Sequence, residues 1–214
     1  MRLWGLPLVG HGDSGLYTFC RWLAVPLFGG LYRCRVKGTE NLPREGAAMV
    51  ITNHKANIDP VVVGMICDRP LRYMAKKELF GNAALRKLIV TLGAFPIDRG
   101  AGDRAALTTS LEILAEGGVL LMFPEGHRRP DNAVHDFLPG VGMLALRSGV
   151  PVVPLAMDGT QRMLPGGRPG LPALRARMGP PVDLSDLMTA RGSKAYQEAA
   201  RRMHDAVAGL YAQL

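Results

Sequence analysis

Short apolar runs alternate with longer amphipathic segments along most of this chain. The apolar runs are rich in β-branched residues and predict strands, whereas the amphipathic segments repeat their apolar positions every three to four residues and predict helices. The predicted strands are 34–38, 47–52, 71–75, 94–97, 119–123 and 151–156, and the predicted helices are 61–67, 83–92, 103–116 and 139–148. This alternation predicts an α/β fold with a mostly parallel central sheet flanked by helices.

The pattern changes after Asp158. Residues 161–172 are rich in proline and glycine and predict a long loop. Residues 173–178 then read as an edge strand, and Ser193 to Leu210 as an amphipathic closing helix with Ser193 as its N-cap. Gly149, directly after the helix at 139–148, reads as a C-cap.

The N-terminal segment differs from the rest because its apolar residues are large and crowded. Between residues 16 and 32 the uninterrupted apolar run is about ten residues, too short for the roughly 20 that a membrane span needs. Its aromatic residues favour a helix lying in a membrane interface, with Arg21, Arg33, Arg35 and Lys37 meeting lipid phosphates. The alternative is a helix packed on the core of its own domain. We therefore divide the chain into a membrane-associating segment, 1–34, and a catalytic domain, 35–214.

Charge and composition narrow the partners. The chain has 214 residues and a net charge of +8, and residues 1–44 and 160–214 carry the whole excess. No nucleic-acid-binding motif accompanies these basic flanks, so we expect no nucleic acid and favour an anionic membrane surface. Three widely spaced cysteines and the absence of a secretory signal predict the cytoplasmic face of the membrane. The five histidines show no metal-ligand spacing, so we expect no metal.

Residues 53–60, NHKANIDP, are where we predict the chemistry. They follow the predicted strand 47–52, and Asp59 with Pro60 reads as the N-cap and first turn of the next helix. A carboxylate on one nitrogen of His54 would fix the tautomer and leave the other nitrogen free to accept a proton from a hydroxyl. No serine lies in this stretch, so the substrate would supply that hydroxyl. The alternative is that Asp59 only caps a helix and His54 only completes a turn.

Polar residues also follow three other predicted strands. They are Lys76-Lys77, Asp98-Arg99 and the segment 125–128, and a parallel sheet would bring these strand ends to one edge. Cations there suggest an anionic substrate group, most simply a phosphate. Gly126 would let a ligand approach the backbone. Each cluster alone has a plainer explanation, such as a surface ion pair or a solvated helix start. No P-loop or dinucleotide-binding fingerprint is present.

Four of these stretches together resemble the glycerolipid acyltransferases of the 1-acylglycerol-3-phosphate acyltransferase type. The blocks are NHKANIDP at 53–60, GAFPIDR at 93–99, FPEGHR at 123–128 and VPVVP at 150–154. The resemblance covers residues 35 to 160 and rests on four blocks in the family order. One position departs from the pattern, because His127 stands where the family usually has threonine.

The resemblance implies a role for each matched residue. His54 would deprotonate the acceptor hydroxyl, and Asp59 would orient and stabilise the imidazolium. Lys76, Arg99 and Arg128 would hold the substrate phosphate. Glu125, Gly126 and His127 would shape the acceptor pocket.

The implied reaction moves a fatty acyl group from acyl-CoA or acyl-ACP to the free hydroxyl of a lysophospholipid, most simply 1-acyl-sn-glycerol-3-phosphate, giving phosphatidic acid. The thioester is a co-substrate, and no other cofactor is implied. Glycerol 3-phosphate or another lysolipid remains an alternative acceptor. Two other classes also stay open: a lipid esterase, although no Gly-x-Ser-x-Gly occurs, and a non-catalytic module that binds anionic lipid.

Overall fold

One mixed sheet dominates the molecule. The computed structural model describes residues 2–3, 6–7, 15–97, 104–163 and 170–214. Within them a two-stranded ribbon comes first, made of β1 (Arg2–Leu3) and β2 (Leu6–Pro7). The main sheet contains β3 (Arg35–Lys37), β4 (Ala48–Thr52), β5 (Leu71–Lys76), β6 (Ala94–Ile97), β7 (Val119–Met122), β8 (Val152–Asp158) and β9 (Arg175–Met178).

The strand order of the main sheet is β3-β9-β8-β4-β7-β5-β6, and every neighbouring pair is parallel except β8 with β9. The strand β4 lies at the centre, and all five of its residues are buried. The carboxyl ends of β4, β5, β6, β7 and β8 therefore point to one edge, as the alternation predicted. The mostly parallel α/β fold is confirmed.

Helices cover both faces of this sheet. They are α1 (Gly15–Pro26), α2 (Asp59–Ile66), α3 (Ala83–Thr91), α4 (Arg104–Ala115), α5 (Pro139–Ser148) and α6 (Ser193–Tyr211). Local signals fix several of their ends. The Asn82 side chain accepts from Leu85 N at 3.0 Å at the start of α3, and Gly149 ends α5 in the left-handed region with φ 67°. Two apolar clusters result, one under α1 and α2 and the other under α4, α5 and α6.

Two predictions about the C-terminal part are wrong. The strand β9 is not an edge strand, because it lies between β3 and β8, and β3 forms the edge instead. Ser193 is not the N-cap of α6, since Gly192 occupies that position at φ 101° and no side chain caps the helix. The errors have different origins. Local sequence does not report which distant strand lies beside β9, whereas the N-cap differs by one residue, which is the usual uncertainty of a helix end.

The N-terminal helix has one buried and one exposed apolar face. A π-helix, Leu27–Leu31, continues α1, and the two together bury Tyr17, Val25 and Phe28. Its other face exposes roughly half of each large apolar side chain, at Phe19, Trp22, Leu23, Leu27 and Leu31. The segment thus packs on the domain, as the alternative had it, and also presents an apolar surface outwards. Across the described ranges, no helix is both long and apolar enough to span a membrane.

Arg21 does not reach outwards as predicted. It is buried and donates to the main-chain oxygens of Met65 and Cys67, at 3.1 and 2.7 Å. These oxygens lie at the C-terminal end of α2, where helix carbonyls lack partners and attract cations. The arginine therefore fastens α1 to α2, and its predicted contact with lipid phosphate is wrong.

Candidate active site

The turn between β4 and α2 brings His54 and Asp59 together. Their Nδ1 and Oδ2 atoms lie 2.8 Å apart, and Asp59 is fully buried. The same Oδ2 accepts the main-chain N–H groups of Lys55 and Ala56, at 2.6 and 2.8 Å. Asp59 is thus the first residue of α2 rather than its N-cap, a position that Ile58 occupies. Its carboxylate holds the turn that precedes the helix, which corrects the capping prediction.

This geometry prepares His54 as a base. A carboxylate that already accepts two N–H groups takes a third donor from the ring, so Nδ1 carries the proton and Nε2 keeps its lone pair. Nε2 makes no hydrogen bond with any residue that the structure describes. The Phe123 ring stacks on the imidazole, with the centroids 4.1 Å apart, and fixes the plane of the base.

Main-chain contacts hold this turn from both neighbouring strands. The Asn53 amide donates to Met157 O at 2.8 Å, and its oxygen accepts from Met157 N at 3.0 Å. On the other side, Arg129 N donates to His54 O at 2.7 Å. The histidine is therefore tied to the end of β8 and to the loop after β7, and few alternative turn conformations remain.

Glu125 follows β7 and is almost entirely buried. Neither of its carboxylate oxygens has a hydrogen-bond partner among the described residues. Burial raises the pKa of this carboxyl, while the nearby Lys55 charge and the main chain at His54 oppose the rise. A buried, unpartnered carboxyl beside the base provides a polar group that a ligand can use.

Gly126 has a structural reason that differs from the predicted one. Its φ is 72°, which glycine adopts without strain, and a Cβ there would lie 2.7 Å from Leu138 Cδ1. The adjacent space is thus filled by Leu138, not left open for a ligand. The glycine allows the turn after Glu125 to close, and its predicted part in substrate binding stays a prediction.

The structure describes the positions of some of the predicted phosphate-binding residues but not of all. Arg128 is exposed and donates to the Asn57 side-chain oxygen across the mouth of the turn. Exposed Lys76 ends β5, two strands from β4, and His127 is also exposed. Arg99, with Asp98, lies outside the described residues.

A cavity of about 330 Å³ opens beside this turn. Ala56, Asn57, Arg128 and Thr160 are among the residues that line it. Thr160 is buried, and its hydroxyl has no hydrogen-bond partner in the described part of the chain. The cavity therefore combines a cation with a hydroxyl, a mixture suited to a polar headgroup.

Lys55 is a site residue that the sequence did not reveal. Its ammonium group is fully buried and donates to Ala133 O, while Asp131 Oδ1 lies 3.5 Å away and the Tyr211 ring centroid 5.1 Å away. From sequence alone, a lysine inside such a motif is expected to be exposed to solvent or to bind substrate. Here it joins the base-bearing turn to the loop that carries Glu125 and Arg128.

Phe123 and Thr160 were also missed as site residues. Phe123 reads as the last residue of an apolar run, and Thr160 as part of a loop, so neither gave a chemical signal. As for metals, the segments that the structure describes contain no group of three or more His, Cys, Asp or Glu side chains arranged to hold an ion.

The chain is similar to known acyltransferases. The sequence model of the family described as Acyltransferase matches residues 33–158. The 1-acyl-sn-glycerol-3-phosphate acyltransferase of Bacillus subtilis is 30% identical over 67% of this chain and 72% of its own length. The chloroplastic enzyme BAT2 of Brassica napus, with the same activity in its name, is 26% identical, and this chain spans only 44% of it.

A solved structure is similar over almost the whole chain. It is the 1-acyl-sn-glycerophosphate acyltransferase PlsC from Thermotoga maritima, with a TM-score of 0.73 and 26% identity, covering 93% of this chain and 81% of that one. The matched family region contains β4, β7 and the His54–Asp59 pair. The chain belongs to the acyltransferase family that includes these 1-acylglycerol-3-phosphate acyltransferases.

Proposed function

We propose that this protein transfers a fatty acyl group from an acyl thioester to the free hydroxyl of 1-acyl-sn-glycerol-3-phosphate, forming phosphatidic acid. The observation that carries the proposal is the 2.8 Å contact between His54 Nδ1 and Asp59 Oδ2, which leaves Nε2 free for a proton. The names of the relatives support the acceptor and the product.

The reaction needs no covalent enzyme intermediate. His54 Nε2 takes the proton of the acceptor hydroxyl as its oxygen attacks the thioester carbonyl, and the ester bond forms as the C–S bond breaks. The thiolate then takes the proton back from the imidazolium and leaves as a thiol. Asp59 stabilises the imidazolium in between, because its buried negative charge lies on the Nδ1 side.

Cations near this edge would hold the acceptor phosphate. Arg128 stands at the mouth of the cavity, Lys76 ends β5, and Arg99 belongs to the same predicted set. Gripping the phosphate turns the hydroxyl towards His54, and such positioning can lower the barrier substantially. Glu125 and His127 would contact the glycerol portion, and Thr160 extends this polar lining.

We further propose that the segment 1–34 attaches the catalytic domain, 35–214, to the cytoplasmic face of the membrane. The exposed face of α1 and the π-helix presents Phe19, Trp22, Leu23, Leu27 and Leu31. An apolar stripe of this kind suits a helix lying within the headgroup layer of an anionic membrane. The lysophospholipid would then enter from the same surface.

The test is a coupled assay of purified wild-type and His54→Ala proteins with palmitoyl-coenzyme A and lysophosphatidic acid. Free thiol and phosphatidic acid are followed together. We expect equal amounts of both with the wild type and a loss of both by about 10²- to 10⁴-fold with His54→Ala. Lys194→Ala is the control for a substitution at an exposed position outside the site, at the start of α6.

The other outcomes separate the competing functions. Thiol without phosphatidic acid would indicate thioester hydrolysis, and a repeat with glycerol 3-phosphate would find a different acceptor. Full transfer by His54→Ala would overturn the proposed mechanism. Lipid binding without any thiol release would favour a non-catalytic lipid-binding module.

A further inference from the structure

A basic groove lies at the β3 edge of the sheet, away from the catalytic turn. We use this name for the surface of Arg33, Arg35, Lys37, Arg175 and Arg177, which encloses about 470 Å³. Arg175 donates to the main-chain oxygen of Leu214 at 2.6 Å. The side chains of the other four make no hydrogen bond or ion pair with any described residue.

The strand register forces these cations together. Arg35 pairs with Arg175, and Lys37 pairs with Arg177. Like charges directly opposite each other in a sheet are destabilising. Asp158 lies opposite Arg175 on β8, but its carboxylate is already held by Arg162 and Gln161. Two such pairs of cations in succession therefore indicate a surface arranged to attract an anion.

Protection of the sheet edge does not explain the whole groove. Charged residues on an exposed strand discourage pairing with other chains, and this accounts for Arg35 and Lys37 on β3. The strand β9, however, is interior, lying between β3 and β8. Arg175 and Arg177 therefore have no such role. Arg33 adds a further oddity, since it adopts φ 45° without being a glycine.

The groove faces away from the apolar surface of α1. Val36 and Ala176 belong to the cluster under α1 and α2, so the cationic residues that alternate with them point to the opposite face, beside the end of α6. The cations of β3 and β9 therefore lie on the face of the sheet opposite to the one that α1 covers. Because the groove is concave, it fits a small ligand better than it fits the convex surface of another protein.

One end of the groove reaches the catalytic edge of the sheet. In the register of β9 with β8, Arg175 lies opposite Asp158, the last residue of β8. The strand β3 is the third strand from β4 and β9 the second, so about 10–14 Å separate the groove from β4, which leads into the His54 turn.

We propose that the basic groove binds the phosphate-bearing nucleotide end of a coenzyme A thioester, the acyl donor of the reaction proposed above. Coenzyme A carries a diphosphate and a 3′-phosphate, which match a cluster of five cations. Its pantetheine arm is equivalent to four or five extended residues and spans about 15 Å. The arm is therefore long enough to span the strands between the groove and β4.

The test measures binding and transfer separately. The variant Arg35→Gln/Arg177→Gln removes two cations and leaves the contact of Arg175 with Leu214 intact. We expect coenzyme A to bind about 10- to 100-fold more weakly to it than to the wild type by calorimetry. The KM for palmitoyl-coenzyme A should rise by a similar factor, with kcat within about twofold. Binding of 3′-dephospho-coenzyme A to the wild type should also be weaker.

The matched control is Arg147→Gln/Lys194→Gln, which removes the same charge from exposed positions at the end of α5 and the start of α6. It should bind coenzyme A like the wild type. Equal affinity of the groove variant and the wild type would overturn the proposal. So would a groove variant that loses only binding to anionic vesicles, or only affinity for acyl carrier protein.

Failure of the proposed function gives a different result. A wild-type protein that binds coenzyme A through the groove but transfers no acyl group to lysophosphatidic acid leaves the groove assignment standing and removes the proposed reaction. A wild-type protein that transfers the acyl group but binds coenzyme A independently of Arg35 and Arg177 does the reverse.

Discussion

Replacement of Asp59 by asparagine and by alanine should separate its two roles. The Oδ2 atom accepts His54 Nδ1 together with the N–H groups of Lys55 and Ala56, at 2.8, 2.6 and 2.8 Å. In Asp59→Asn, an amide NH₂ at this position would face two fixed N–H donors. The amide oxygen should therefore take the Oδ2 position, so that the tautomer of His54 is retained and only the charge is lost.

The magnitudes follow from this difference. A hydrogen bond to a charged group contributes about 1.5–3 kcal/mol and a neutral one about 0.5–1.5, so loss of the charge should cost about 1–2 kcal/mol in the transition state. That corresponds to a fall in kcat of about 5- to 30-fold for Asp59→Asn. Asp59→Ala also loses control of the ring, and its kcat should fall by about 10² to 10⁴, close to that of His54→Ala.

The assay is phosphatidic acid formation at saturating palmitoyl-coenzyme A and lysophosphatidic acid, with thermal unfolding to establish that each variant is folded. The expected order of kcat is wild type, Asp59→Asn, then Asp59→Ala, with at least about threefold between the two variants. Equal losses in the two variants would refute the reasoning, because they would mean that the amide has turned its NH₂ towards His54.

Three further substitutions test the surroundings of the base. Lys55→Met removes the buried ammonium group that donates to Ala133 O, so the loop carrying Arg128 should become more mobile. In initial-rate assays the KM for lysophosphatidic acid should rise about 5- to 20-fold, with kcat changed less than about threefold. Burial raises the pKa of Glu125, so the stability from its protonated form is present at low pH and is lost as the pH rises through the raised pKa. Thermal scans of Glu125→Gln should therefore show a Tm higher by a few degrees at pH 8 and nearly unchanged at pH 4. Asn53→Ala leaves two buried main-chain groups of Met157 unpaired, and calorimetry should show a Tm lower by about 5–15 °C.

The fold was predictable because local periodicity carries most of it. Buried strands of a parallel sheet are apolar on both faces, and β4, β7 and β8 are nearly continuous apolar runs. The connecting helices ended where glycine and proline signals placed them, as at Gly149. The strand β9 was misplaced because its pairing with β3 and β8 depends on contacts between segments far apart in sequence.

The base pair of the site was predictable for a similar reason. His54 and Asp59 are five residues apart on one turn, and such a turn can bring them together by itself. The roles proposed for Lys55 and Thr160 depend instead on groups far away in sequence. Lys55 donates to Ala133 O, and Thr160 lines the same cavity as Arg128 and Asn57. No local pattern distinguishes such residues from solvated ones.

The basic groove also could not be predicted from the sequence, because the sequence does not show which charged residues lie together. Along the sequence, Arg35 and Arg175 are 140 residues apart and contribute only to a diffuse basic excess on two flanks. The parallel register of β3 with β9 converts that excess into opposed pairs on one face of the sheet. Charge that is spread along the chain can be neutral in its effect, whereas the same charge concentrated in a concave surface creates a potential that selects anions. In our proposal the groove and the catalytic edge serve the two ends of one thioester. The chain makes this possible because it forms β4 to β8 with the catalytic edge and then returns in β9 to pair with β3.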